Sequence, residues 1–266
     1  PGDYTSIQDA IDVYNNGDII MIAGGLYYEY SINPGGKSIT LEGATDTDGL
    51  PVTTIDAQQL GRVLECDSGE TAKTVFKNLL ITGGFVDSGG GMRNTDSSPT
   101  LTNCTFTGNT VISDGGGMYN YFSSPSLTDC TFIDNICKNG DGGGMYNYNE
   151  SSPALTGCTF IGNVAVQSGG GMYNDESGSS PTLTDCTFTG NTATYGGGMW
   201  NSGGSPTLEN CIFENNTAAD YCGGMSNDES SPTLTNTIVC GNTPDQIYGG
   251  YIHHGNHYMN DLCTFV

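Results

Sequence analysis

The residues able to do chemistry here are six cations, scattered carboxylates and three histidines, and two kinds of reaction would use them. β-Elimination on a uronic acid needs a positive or metal-based clamp on the sugar carboxylate and a base, often Arg or Lys, beside the C5 proton. The chain has six basic residues, Lys37, Arg62, Lys73, Lys77, Arg93 and Lys138, and of these only Arg93 falls in the recurring Gly-Gly-Met-x-Asn motif. No cluster of aspartates surrounds it in sequence. Hydrolysis needs two or three carboxylates facing one another across a groove. Asp175-Glu176 and Asp228-Glu229 follow copies of the same motif and read as solvated loop acids. His253, His254 and His257 are of a type that ligates metals, but a lone HHGNH in the expected terminal cap does not by itself make a metal site. Asp46-Thr-Asp48-Gly resembles part of a calcium loop without its remaining ligands, so calcium is the one cofactor left open. No catalytic residue and no metal ligand is assigned, and the balance leans away from an enzyme.

A stronger signal comes from what repeats. Met92, Met118, Met145, Met172, Met199 and Met225 each follow a Gly-Gly pair, each has Asn two residues on, and each is followed by Ser-Pro. The spacing predicts six coils of 25 to 28 residues, which read roughly GGGMYN, loop, SSPTLTDCTFTGNTA, loop. Within TLTDCTFTGN, Cys186 and Phe188 share a face by strand alternation, whereas Leu183 is out of step by one. A corner must fall between them, at Asn103, Asp129, Gly157, Asp185, Asn210 or Asn236, all types that tolerate a left-handed backbone.

The expected fold is therefore all-β: a right-handed parallel β-helix with three strands per coil of about 27 residues and an N-terminal capping helix. Residues 1–266 form a single domain, with the cap helix at 1–17, irregular first coils at 18–84, six regular repeats at 85–242 and a C-terminal cap at 243–266. Thr5-Ser-Ile-Gln8 predicts a capping box, and Ile7, Ala10, Ile11 and Tyr14 predict the buried stripe of the helix. Leu79 and Ile81 are expected in the Cys and Phe slots of an irregular coil.

Stacked coils bring identical residues into ladders. Asn94 to Asn227 and Asn109 to Asn242 are expected to satisfy backbone groups along the stack. Cys104, Cys130, Cys158, Cys186 and Cys211, with Thr237 in the sixth coil, read as buried free thiols, because in-register side chains point parallel and hold their Cβ atoms too far apart for a disulfide. Cys240 and Cys263 are the disulfide candidate that would pin the tail. Cys137 and Cys222 are left unpaired.

The residue between Met and Asn must point outward if those two point inward. It runs Arg93, Tyr119, Tyr146, Tyr173, Trp200 and Ser226, with Tyr121, Phe122 and Tyr148 in the adjoining loops. This predicts an exposed aromatic stripe that stacks on sugar rings or is buried by another copy of the chain. The simpler reading is that the rings stack on one another and stabilise the strand. A second outward array, Thr105-x-Thr107 through Thr187-x-Thr189, resembles ice-binding solenoids but is broken at Ile212-x-Glu214.

Net charge is -23, with 29 acidic and 6 basic residues, and Lys and Arg are absent after Lys138. Such a surface repels nucleic acid and anionic membranes, and no apolar run is long enough for a membrane span. Neutral sugars and cations remain.

PGDYTSIQDAID followed by GDIIMIAGG and then coils resembles bacterial pectate-lyase-like β-helix proteins. The coils are similar to polymorphic outer-membrane protein repeats, whose Gly-Gly and F-x-x-N motifs are matched by Phe106/Asn109, Phe132/Asn135, Phe160/Asn163, Phe188/Asn191 and Phe213/Asn216. The sixth coil departs, with Val239/Asn242. The resemblance implies an extracellular or cell-surface setting, with adhesins and polysaccharide enzymes both in view. The expected partner is a polysaccharide or cell-surface glycan, or copies of the chain itself. A polysaccharide lyase or glycoside hydrolase acting on the same face is the alternative, and ice binding on the threonine face a minor one.

Overall fold

The corner residues govern the architecture. In the computed structural model, which describes residues 4–175, 178–254 and the backbone of 258–260, Asn103, Asp129, Gly157, Asp185, Asn210 and Asn236 all take φ between 48° and 64°. Each of these left-handed residues turns the chain between a strand such as Thr100–Thr102 and the next, such as Thr105–Thr107. Repeating the turn in every coil stacks like strands in parallel register. Leu101 pairs with Leu127, Phe106 with Phe132 and Met118 with Met145.

Four parallel sheets result, of ten, ten, eight and six strands. They are called here the leucine sheet (Thr100–Thr102 and its equivalents), the phenylalanine sheet (Thr105–Thr107), the methionine sheet (Met118–Tyr121) and the short sheet (Thr110–Asp114, then two-residue strands such as Ile136–Cys137). The coil thus has the three expected strands and a fourth. The fourth falls on the residues just after the second asparagine, Thr110-Val111, Ile136-Cys137, Val164-Ala165, Thr192-Ala193 and Thr217-Ala218, a stretch too short for strand alternation to show. It closes a second small core of Val111, Cys137, Ala165 and Ala193 beside the main one.

Inside the main core, the Phe rings from Phe106 to Phe213 stack face to face at 4.4 to 4.8 Å. The five laddered cysteines, together with Cys137 and Cys222, are buried and free. Burial pushes the Cys130 thiol well up, so it behaves as a small hydrophobe rather than a nucleophile. Cys240 is disulfide-bonded, while its expected partner, Cys263, lies outside the described residues.

Both asparagine ladders form as expected. Asn94, Asn120, Asn147, Asn174 and Asn201 each donate through Nδ2 to the Oδ1 of the next at 2.8 to 2.9 Å. In the second ladder each amide does more: Asn163 donates to Phe132 O and Asn191 Oδ1 and accepts from both nitrogens of Asn135. Ser98, Ser124, Ser152, Ser180 and Ser205 form a third ladder, each hydroxyl accepting the backbone N–H of the corresponding serine one coil on, which accounts for the recurring Ser before Pro.

The ends depart from expectation. The helix Ile7–Val13 buries Ile7, Ala10 and Ile11, but its cap is Ser6 rather than Thr5, with Ser6 Oγ accepting from Asp9 N. Gln8 does not close a capping box. The Glu29 carboxylate from the first coil takes the N–H groups of Ile7 and Gln8 instead, a long-range acceptor that local sequence cannot reveal. At the other end, residues expected to form a cap continue the solenoid, with Ile247–Tyr248 on the methionine sheet and Ile252–His254 on the leucine sheet.

Candidate functional site

The outward face of the methionine sheet holds the predicted residues, and the structure changes their meaning. Register places Arg93, Tyr119, Tyr146, Tyr173, Trp200, Ser226 and Tyr248 in one column. Tyr119, Tyr146 and Tyr173 stack almost parallel, at 5.4 and 4.9 Å with interplanar angles of 3° and 5°. Their faces are therefore taken up by one another, and Tyr146 is only 8% exposed. The expectation of an exposed stripe fails at Tyr146, because rings repeating at the strand spacing fall within stacking distance of each other.

Aromatic contacts continue beyond this stack at both margins of the sheet. On one side Tyr146 meets Tyr148, which meets Tyr121, which meets Phe122 edge-on. On the other, Trp200 meets Tyr195, and contacts run on through Tyr221 to Tyr248. Ser226, buried and small, leaves the column without a ring at its position, and the chain of contacts detours around it through loop tyrosines. Together the rings form a band on this face in two runs of contacts, one from Phe122 to Tyr173 and one from Trp200 to Tyr248. Tyr195 and Tyr221 escaped the sequence reading because they lie outside the Met-x-Asn position, and Tyr248 because the column continues there without the Met-x-Asn motif.

Arg93 stands at the N-terminal end of the column and is already engaged. Its guanidinium and that of Arg62 share Glu65 Oε1 at 2.7 and 2.9 Å, and Arg62 also donates to the carbonyls of Ser88 and Gly89. Lys77 pairs with Glu42, and Lys37 donates to the carbonyls of Ile11 and Asp12. The guanidiniums of Arg62 and Arg93 are thus held together by Glu65, and Lys37 and Lys77 are engaged apart from them.

Acids gather beside the tyrosines instead. Asp141 N donates to Asp114 Oδ1, Ser168 N donates to Asp141 Oδ1, and Tyr146 Oη contacts Asp175 Oδ2 at 3.4 Å. Burial, partly offset by the Ser168 bonds and reinforced by Asp114 and Asp175, lifts Asp141 to about 6. Burial and then Asp114 lift the Tyr119 hydroxyl to about 12, so it remains a hydrogen-bond donor at neutral pH. Glu176 lies outside the described residues. Among the described residues no group of three His, Cys, Asp or Glu is arranged to hold a metal ion. Asp46 Oδ1 accepts the N–H groups of Asp48 and Leu50, the work of a turn-forming aspartate. His253 and His254 are exposed, and His257 lies outside the described residues.

The shift at Asp141 has a measurable consequence. A carboxyl raised in the folded state binds more protons folded than unfolded between about pH 4 and 6, so its contribution to stability falls as pH rises through that window. Asp141→Asn keeps an acceptor for Ser168 N and removes the charge. The variant's stability relative to the parent should rise from pH 4.5 to pH 7 by about 1 kcal/mol, allowing for solvent screening. Urea titrations at the two pH values test this, and a pH-independent difference would contradict it.

Residues 54–218 and 128–265 match the sequence family described as right handed beta helix region. No curated protein sequence matches the chain. Among solved structures it is similar to Geobacillus virus E2 ORF18, at 14% identity and a TM-score of 0.54 over 97% of this chain and 58% of that one. It also resembles pectate lyase Pel9A, at 13% identity and a TM-score of 0.49 over 97% and 72% of the respective chains. The chain thus spans less than two thirds of the viral protein, and the likeness is one of fold.

Proposed function

The chain belongs to the right-handed β-helix family, and on that premise we propose that it is an extracellular, non-enzymatic protein of adhesin or matrix type that holds glycan along its methionine sheet. The observation that carries this reading is the aromatic band, with contacts running from Phe122 through Tyr146 to Tyr173 and from Trp200 to Tyr248, on a chain of net charge -23. Ring edges, phenolic hydroxyls and flanking carboxylates supply apolar contact and acceptors for sugar hydroxyls. The engagement of Arg62 and Arg93 by Glu65, of Lys77 by Glu42 and of Lys37 by helix carbonyls argues against elimination on a uronate.

A second reading, glycoside hydrolysis, draws on Asp114, Asp141 and Asp175 beside the band, with Asp141 held near the range of a general acid. One experiment separates the readings. The protein is incubated with neutral and uronate polysaccharides while retention, new reducing ends and unsaturated products are followed. Retention without turnover is expected. Reducing ends that vanish in Asp141→Asn would replace binding by hydrolysis, and unsaturated products that vanish in Arg93→Ala would replace it by elimination. Concentration-dependent oligomers with no retention would make another copy of the chain the partner.

A further inference from the structure

The band is not uniform, and its differences locate the contact. In the central stack the planes are within 5° of parallel and the faces are covered. Toward the C-terminus the geometry opens. Tyr195, Tyr221 and Tyr248 follow one another at 5.3 and 5.1 Å with planes tilted by 36° and 34°. Tyr221 is 49% and Tyr248 51% exposed, against 8% for Tyr146.

We infer that Tyr195, Tyr221 and Tyr248 form a stacking platform for an extended, uncharged hexose or pentose polymer. This assignment rests on the glycan-binding reading above and names its subsite and ligand class. Three observations support it. Successive rings advance by about the length of one sugar residue, so one chain lying along the solenoid axis meets each ring in turn. Tyr221 and Tyr248, half exposed and tilted relative to each other, present more ring surface to the C–H faces of sugars than the buried Tyr146 does. Finally, the surroundings favour a neutral ligand: Asp220 and Asp245 are exposed within the same segment, and Lys and Arg are absent beyond residue 138, so a uronate or sulfated chain would meet repulsion without a compensating cation. Sugar hydroxyls can donate to those carboxylates instead.

The test measures binding of the intact chain to linear β-1,4-linked gluco-, manno- and xylo-hexaoses, with hexagalacturonate as the charged control, by calorimetry. Tyr221→Leu and Tyr248→Leu keep apolar bulk and remove the ring, Tyr221→Phe keeps the ring, and Tyr121→Ala and Phe122→Ala alter the opposite margin. Melting temperatures confirm that each variant is folded. Each Leu variant should weaken binding of a neutral hexaose by about tenfold, with the Phe variant within about twofold of the parent. Loss in Tyr121→Ala or Phe122→Ala with parental binding in both Leu variants would overturn the platform while leaving glycan binding by the band intact. Tighter binding of hexagalacturonate would overturn the neutral class. Absence of binding by the parent to every oligosaccharide would overturn both the platform and the function on which it rests.

Discussion

Replacing Asn163 with Leu should destabilise the chain by about 4 kcal/mol, measured as a lowered urea midpoint with little change in slope. The side chain is fully buried. Its loss strips Asn135 N and Nδ2 of their shared acceptor and removes a donor from Phe132 O and Asn191 Oδ1, at 2.9 to 3.1 Å in the parent. Each buried group left unsatisfied costs about 1 to 3 kcal/mol, and Leu shares the branched skeleton of Asn but is bulkier, so it leaves no cavity and adds crowding to the loss. Pairing with Asn135→Leu gives a sharper test. Because the two side chains share a hydrogen bond, the double variant should lose less than the sum of the singles. A single-site loss below about 1 kcal/mol would show that relaxed geometry or water replaces the ladder.

The second large effect is expected at Gly144. Its conformation is ordinary; what excludes a side chain is space. A Cβ there would stand 2.5 Å from the carbonyl oxygen of Gly171 in the next coil and 2.8 Å from Phe160 Cδ1. Neither neighbour can retreat, since one is backbone and the other sits in the Phe stack. Gly144→Val should therefore cost about 3 kcal/mol and lower the melting temperature accordingly. Gly178→Ala is the control. That glycine has open space around it, so its cost comes only from a φ of 83° and should be near 1 kcal/mol. Equal losses at the two sites would mean that coil contact is not what selects glycine in the Gly-Gly motif.

Both predictions concern positions that the sequence marks by repetition. The period of the Met-x-Asn motif, the corner residues from Asn103 to Asn236 and the fixed Cys and Asn positions were enough to specify parallel coils, inward ladders and left-handed corners. Repetition makes this legible because every coil sees the same neighbours above and below, so a residue's environment can be read from its own copies. The same logic located the outward column of Arg93, Tyr119, Tyr146, Tyr173 and Trp200.

Tertiary structure decided what broke the period. The fourth strand is only two residues long in most coils, too short for alternation to reveal it. Glu29 displaced the capping box because a carboxylate from the first coil reaches the helix N-terminus. Arg93 was drawn to Glu65, held jointly with Arg62. Most consequentially, in-register tyrosines buried one another's faces, while Tyr195 and Tyr221, outside the repeated position, and Tyr248, beyond the sixth repeat, took tilted and open positions. Periodicity reports which way a side chain points. Whether its ring faces stay free depends on the strand spacing and on loop residues from neighbouring coils, and the folded chain alone brings those together.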